Sequence, residues 1–235
     1  MPDIDSLKIE LLDKLWLPKA KEARSLIYPK RRNNARMSLF TLTDGISLRE
    51  ILKLEEENLI QKENVVAWVR TMNKRWRVEA ESVGCVLHGD VYDGPFLGPS
   101  CEVATRIPFD IINLDFESQQ PTSKQGRIEN EIEKLAKIIS LQGQKGCNKF
   151  VLIYTTFVDI YDINAKGIVE EFGLNLNGFA NTVTDAAHKQ SFLRVLFEKL
   201  IQKNAYKCAS DVVCLSYGVP GSSVWLLSMV SIVTR

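Results

Sequence analysis

The ten-residue stretch from Pro108 to Glu117, PFDIINLDFE, limits what this chain can fold into more than any other segment. Its apolar run is too continuous for a strand with one wet face, so it predicts a strand buried on both sides, as in a sheet covered by helices above and below. It ends in acids and passes into the loop-like SQQPTS. In α/β sheets, ligands gather at strand ends of this kind.

Other segments repeat the pattern. MSLFTLT, Met37 to Thr43, is rich in β-formers and stops at the turn signal Asp44-Gly45, after which SLREILKLEEENLIQ reads as a helix capped by Ser47 with Glu50 three residues on. Asn64 to Val69 predicts a second buried strand, followed by helical spacing of Met72, Trp76 and Val78. GCVLHGDVYD supplies a third strand that ends at His88-Gly89-Asp90, and Phe109 to Leu114 is the fourth. Arg127 to Leu141 places Ile128, Ile132, Leu135, Ile138 and Ile139 on one helical face, and Lys149 to Thr156 is a fifth strand. Strands alternating with helices at this pace imply a mostly parallel sheet with right-handed crossovers.

The two ends of the chain differ from this middle. Residues Asp5 to Ile27 have helical spacing, with Asp5 or Ser6 as cap and Pro18 expected to interrupt. A turn-rich connector, YPKRRNNAR, carries Lys30, Arg31, Arg32 and Arg36 and reads either as a solvated linker or as a phosphate-facing patch beside a site. Beyond Asp159 a polar stretch from Asp162 to Thr184 precedes a helix from Ala186 to Lys203, whose aromatic stripe reads as core. Asp211 to Tyr217 and Val224 to Val233 flank GVPGSS, a loop short enough to predict an antiparallel hairpin.

Composition removes several classes of answer. The five cysteines, Cys85, Cys101, Cys147, Cys208 and Cys214, are scattered without a CxxC pair, which fits buried thiols in a reducing compartment. His88 and His188 are the only histidines and have no companion at metal-ligand spacing, so no metal is expected. Net charge is +1, and no run approaches the ~20 apolar residues that span a bilayer. The expected location is cytoplasmic.

Five parallel-type strands, a helix and a closing hairpin whose last strand is inserted antiparallel resemble a class I S-adenosylmethionine-dependent methyltransferase. The resemblance runs from about Met37 to the C-terminus. It implies a three-layer Rossmann-like α/β domain over residues 37–235, with a mostly parallel seven-stranded sheet and a C-terminal antiparallel hairpin, preceded by a helical extension over residues 1–36. In that family the first turn cradles the cofactor, the second strand ends in an acid for the ribose, the third strand leads to the adenine and the fourth ends beside the methyl group. Carried across, this implies cofactor contacts from Asp44, Gly45, Arg70 and Asp90, and substrate-facing groups at Asn113, Asp115 and Glu117.

The match is uneven. TDGIS keeps one glycine where the family has two or three, NLDFE lacks the NPPY tetrapeptide, and Arg70 stands where an acid is expected. An arginine cannot accept a hydrogen bond from a ribose diol. Asp90 and Asp115 also read as plain strand-end acids or helix caps. Two functional readings follow. One is a methyltransferase in which Asp115 or Glu117 orients an amine or takes its proton, acting on nucleic acid bound through Lys30, Arg31, Arg32, Arg36, Lys74 and Arg75, with Trp68 or Trp76 stacking on a base. The basic residues also read as a solvated helix face and the tryptophans as core. The other functional reading, favoured by Arg70 and the single-glycine turn, is a relative without catalysis that serves as a protein partner or scaffold.

Overall fold

The computed structural model describes residues 4–30, 35–43, 48–69, 83–89, 101–116, 127–158, 162–174, 178–209, 211–218 and 225–235. Its frame is one mixed sheet. Strands β1 (Met37–Thr43), β2 (Ile60–Val69), β3 (Cys85–His88), β4 (Ile111–Asp115) and β5 (Lys149–Phe157) are parallel, in the order β3-β2-β1-β4-β5. The C-terminal strand β8 (Trp225–Thr234) lies antiparallel against β5 along its whole length, from Lys149↔Thr234 to Phe157↔Leu226. The other edge of β8 takes β7 (Val213–Gly218) and the two-residue β6 (Lys207–Cys208), both antiparallel. The expected hairpin is therefore present as β7 and β8. The sheet has eight strands where seven were expected, because β6 is too short to announce itself in sequence.

The alternation of side chains along the strands divides the core into two layers. Leu39, Ile111, Val151, Ile153, Val230 and Ile232 face helices α1 (Ile4–Leu11), α2 (Leu17–Ile27) and α3 (Arg49–Glu56). On the other face, Phe40, Ile112, Leu114, Leu152 and Tyr154 pack under α4 (Glu102–Arg106), α5 (Arg127–Gln144), α6 (Ala165–Glu171) and α7 (Ala186–Lys203). Every position of the predicted α5 stripe is buried. So are Phe192, Leu196, Phe197 and Leu200 of α7, as expected of core.

Boundaries moved where side chains compete with the pattern. β4 starts at Ile111 rather than Phe109, because Gln142 at the end of α5 clamps the Phe109 backbone, accepting from its N–H (2.9 Å) and donating to its carbonyl (2.7 Å). Helix α3 begins at Arg49 with Leu48 in the cap position and no side-chain cap. The expected cap, Ser47, lies outside the described residues, as does the helix expected after Thr71.

Pro18 does not end the N-terminal helix. A π-helical turn, Leu12–Trp16, precedes α2 and places Pro18 in that helix's first turn, where a missing N–H costs least. The segment then stays helical to Ile27 and buries Leu12, Leu15, Trp16, Leu17, Ala20 and Ala23. It docks on β5 and β8 of this same sheet.

Candidate functional site

Parallel strands share a direction, so their C-terminal ends form one rim. Thr43 of β1 pairs with Val69 of β2, and Val69 pairs with His88 of β3. On the other side Thr41 pairs with Asn113 of β4, and Asp115 pairs with Thr155 of β5. The residues that follow β1 to β4, 44–47, 70–82, 90–100 and 117–126, lie outside the described residues. Asp44, Gly45, Arg70, Asp90 and Glu117, expected at the site, are among them and have no described position.

At the β3 end the chain turns through Gly89, whose φ of +156° lies at the edge of the range that favours glycine. A Cβ there would come 3.0 Å from the Trp68 ring. Trp68 holds the turn by donating from Nε1 to the Gly89 carbonyl at 2.9 Å, and the Gly89 N–H donates to the Val69 carbonyl at 3.1 Å. Trp68 is thus a buried bracket for the β3 end rather than an open platform for a base. Trp76 lies outside the described residues.

At the β1, β4, β5 and β8 end, polar side chains collect on the face covered by the N-terminal helices. Asn113 donates from Nδ2 to Thr41 Oγ1 at 3.2 Å, and its Oδ1 has no hydrogen-bond partner among the described residues. Thr155 and Ser228 share a hydrogen bond of 2.9 Å, and Trp16 Nε1 donates to Ser228 Oγ at 3.1 Å. Lys8 of α1 reaches the Asp115 carboxylate, Nζ to Oδ2 at 2.9 Å, with side-chain exposures of 26% and 8%. Asp115 therefore meets a cation supplied by the chain itself.

Of the expected substrate-facing groups, the structure places Asn113 and Asp115 two residues apart on one face of β4. It encloses the first and pairs the second with Lys8. On the opposite face, Glu131 of α5 is fully buried and accepts from Tyr154 Oη (3.0 Å) and Thr156 Oγ1 (2.5 Å). Lys8, Trp16, Ser228 and Glu131 were not singled out in the sequence. A signal for part of this existed in the alternation of β1 and β4, where Thr41 and Thr43, like Asn113 and Asp115, fall on one face of otherwise apolar strands.

The described part of the basic connector lies elsewhere. Arg36 immediately precedes β1 and donates from Nη2 to Asn58 Oδ1 at 2.9 Å, at the end of the sheet opposite the rim. Seven residues of strand, about 20 Å, separate it from Thr43. Lys30 is exposed and follows Tyr28, whose hydroxyl binds Asp110 ahead of β4, so it too belongs to that opposite end. Arg31, Arg32, Lys74 and Arg75 are outside the described residues. Among the described residues no cluster of three or more His, Cys, Asp or Glu side chains could hold a metal ion. No helix among them is long and apolar enough to cross a membrane.

A Rossmann-like sheet in the order β3-β2-β1-β4-β5-β8, with β8 inserted antiparallel before the outermost strand, is the layout of class I methyltransferases. No family model and no curated protein matches the sequence. Among solved structures, the chain is similar to TYW2 of M. jannaschii in complex with AdoMet, at 12% identity over 93% of this chain and 75% of that one, with a TM-score of 0.43. It is similar also to the Burkholderia thailandensis 1,6-didemethyltoxoflavin-N1-methyltransferase with bound 1,6-didemethyltoxoflavin and S-adenosylhomocysteine, at 14% identity, 98% and 87% coverage and a TM-score of 0.41. A complex between the Haloferax volcanii Trm112 methyltransferase activator and the putative methyltransferase gives 12% identity, full coverage of both chains and a TM-score of 0.43. These likenesses are in general outline, and the fold assignment rests on the strand order itself.

Proposed function

We propose that this chain transfers a methyl group from S-adenosylmethionine to an acceptor bound at the C-terminal rim of its sheet. The observation that supports the reading most is the acid at the end of β4. Asp115 is at the rim, level with the ends of the neighbouring strands, where the family resemblance places the reacting group. The chemistry of this end fits the cofactor's need, because a carboxylate can orient an acceptor amine or take its proton. When bound, the cofactor supplies a methyl group already activated by a sulfonium. The chain's own part is then alignment: the rim positions the nucleophile, Asp115 steadies it, and the buried Trp68 bracket fixes the turn at Gly89, one residue ahead of Asp90.

Asp44, Gly45 and Asp90 hold the cofactor in this reading, with Arg70 beside its ribose end in place of the usual acid. A nucleic-acid acceptor would draw its phosphate contacts from Lys74 and Arg75, since Lys30 and Arg36 belong to the other end of the sheet. Titration calorimetry and thermal melting of the full chain with S-adenosylmethionine test the proposal. Saturating cofactor should raise the melting temperature by mass action on the folded state, and Asp90→Ala should remove the rise. No heat of binding and no rise at millimolar cofactor would favour the second reading, a scaffold without catalysis. The Lys8 ammonium already seated on Asp115 is the observation that speaks for that alternative.

A further inference from the structure

The described side chains of helix α1 are those of residues 8–11. Of its described side chains, Leu11 is buried, Ile9 is 42% exposed, Glu10 points to solvent in an exposed pair with Lys14, and Lys8 spans to Asp115. The chain just beyond it is anchored differently, with Leu12, Leu15 and Trp16 buried and the indole bonded to Ser228. Between the two lies the π-helical turn, a local widening of the helix of a kind frequent at functional sites. Local opening of one helical segment costs less than global unfolding.

We propose that Asp115 is the ammonium-binding point of the rim, that Lys8 occupies it from within the chain, and that a ligand bearing a protonated primary amine binds by taking Lys8's place as α1 opens about the π-helical turn. The exchange is electrostatically even-handed. A nearly enclosed carboxylate resists losing its cation, yet replacing one ammonium by another keeps the charge and the hydrogen bond. A neutral or anionic ligand would separate the pair without replacing it, so the site selects amines. This inference rests on the methyl-transfer reading only in identifying the ligand as the acceptor; the displacement needs no cofactor.

Hydrogen exchange of the α1 amides, followed by mass spectrometry on the full chain with n-propylammonium chloride as probe, tests it. Propylammonium at tens of millimolar should speed exchange across 8–11 by about threefold to fivefold, the size expected for loss of one partly exposed ion pair, while 17–27 stay unchanged. Potassium chloride at equal ionic strength should have no such effect. Lys8→Met should exchange fast without the amine, Lys8→Arg should stay protected, and Asp115→Asn should be fast and indifferent to the amine. The proposal falls if the wild-type chain ignores propylammonium, if potassium chloride acts equally, or if Asp115→Asn responds as the wild type does. Displacement without any S-adenosylmethionine binding would keep the amine site and remove the methyl-transfer reading; cofactor binding without displacement would do the reverse.

Discussion

Asp110, one residue ahead of β4, ties two distant positions of the chain to the start of that strand. Its Oδ2 accepts from Tyr28 Oη (3.0 Å), Ser38 N (2.9 Å) and Ser38 Oγ (3.1 Å), and its own N–H returns to Ser38. In the sequence it is one more acid beside an apolar run, because its partners stand 72 and 82 positions away and no local pattern links them. Tyr28 reports on this knot. Burial first, then the charge of Asp110 and the hydrogen bond to it, push the phenol up to about 12 from its usual 10. Since the folded state resists forming the phenolate, its stabilising effect is complete below pH 10 and is lost as pH rises from 10 toward 12. Urea unfolding at a series of alkaline pH values should show a steeper loss of stability for the wild type than for Tyr28→Phe; equal slopes would contradict the assignment. Asp110→Ala should cost about 1–3 kcal/mol at neutral pH, the cost of leaving such donors unmatched.

Helix α5 shows what periodicity reveals at the scale of an element and what it hides. Ile128, Ile132, Leu135, Ile138 and Ile139 were legible as one buried face, because a 3.6-residue repeat is a local property of the chain. Glu131, one place before Ile132, looks in sequence like the wet side of that helix. It is fully buried because Tyr154 and Thr156, on the facing strand, donate to it, and only the packed structure brings those donors over. Glu131→Ala should lower stability by about 1–3 kcal/mol in urea unfolding, and Glu131→Gln, which keeps an acceptor in place, should recover part of the loss. If Glu131→Ala unfolds at the wild-type midpoint, the bonds add nothing to the docking of α5. The N-terminal helix teaches the complementary lesson. Pro18 does forbid an unbroken α-helix, as the sequence indicates, but a wider turn ahead of it absorbs the fault, and the buried Leu12, Leu15 and Trp16 make that turn worth keeping.

Across the whole molecule, the decisive element is the last strand. The direction of the long strands and the hairpin were readable from apolar runs and the GVPGSS turn, and the strand count fell short only by the two-residue β6. That β8 lies between β5 and β7, rather than at the edge, came from the family layout, since no residue in VWLLSMVSIV names its neighbour. The strand ends at the rim were legible: Asp115 could be placed at the end of β4 because it closes an apolar run. Lys8 was missed because a lysine on an amphipathic helix looks the same whether it meets water or a carboxylate 107 positions away. The position of β8 carries a consequence of its own. Its residues Leu226 to Val233 are almost fully buried, and it pairs with β5, β6 and β7, so it holds the only ladder joining the parallel half of the described sheet to the hairpin. A chain ending at residue 224 would expose the full edge of β5, with Val151 and Ile153 beside it, a long apolar edge of the kind that pairs with other chains. Size-exclusion chromatography and circular dichroism should therefore find the truncated chain aggregated, without a cooperative thermal transition. A monodisperse monomer that melts cooperatively near the wild-type temperature would show that the parallel strands and their helices close without β8.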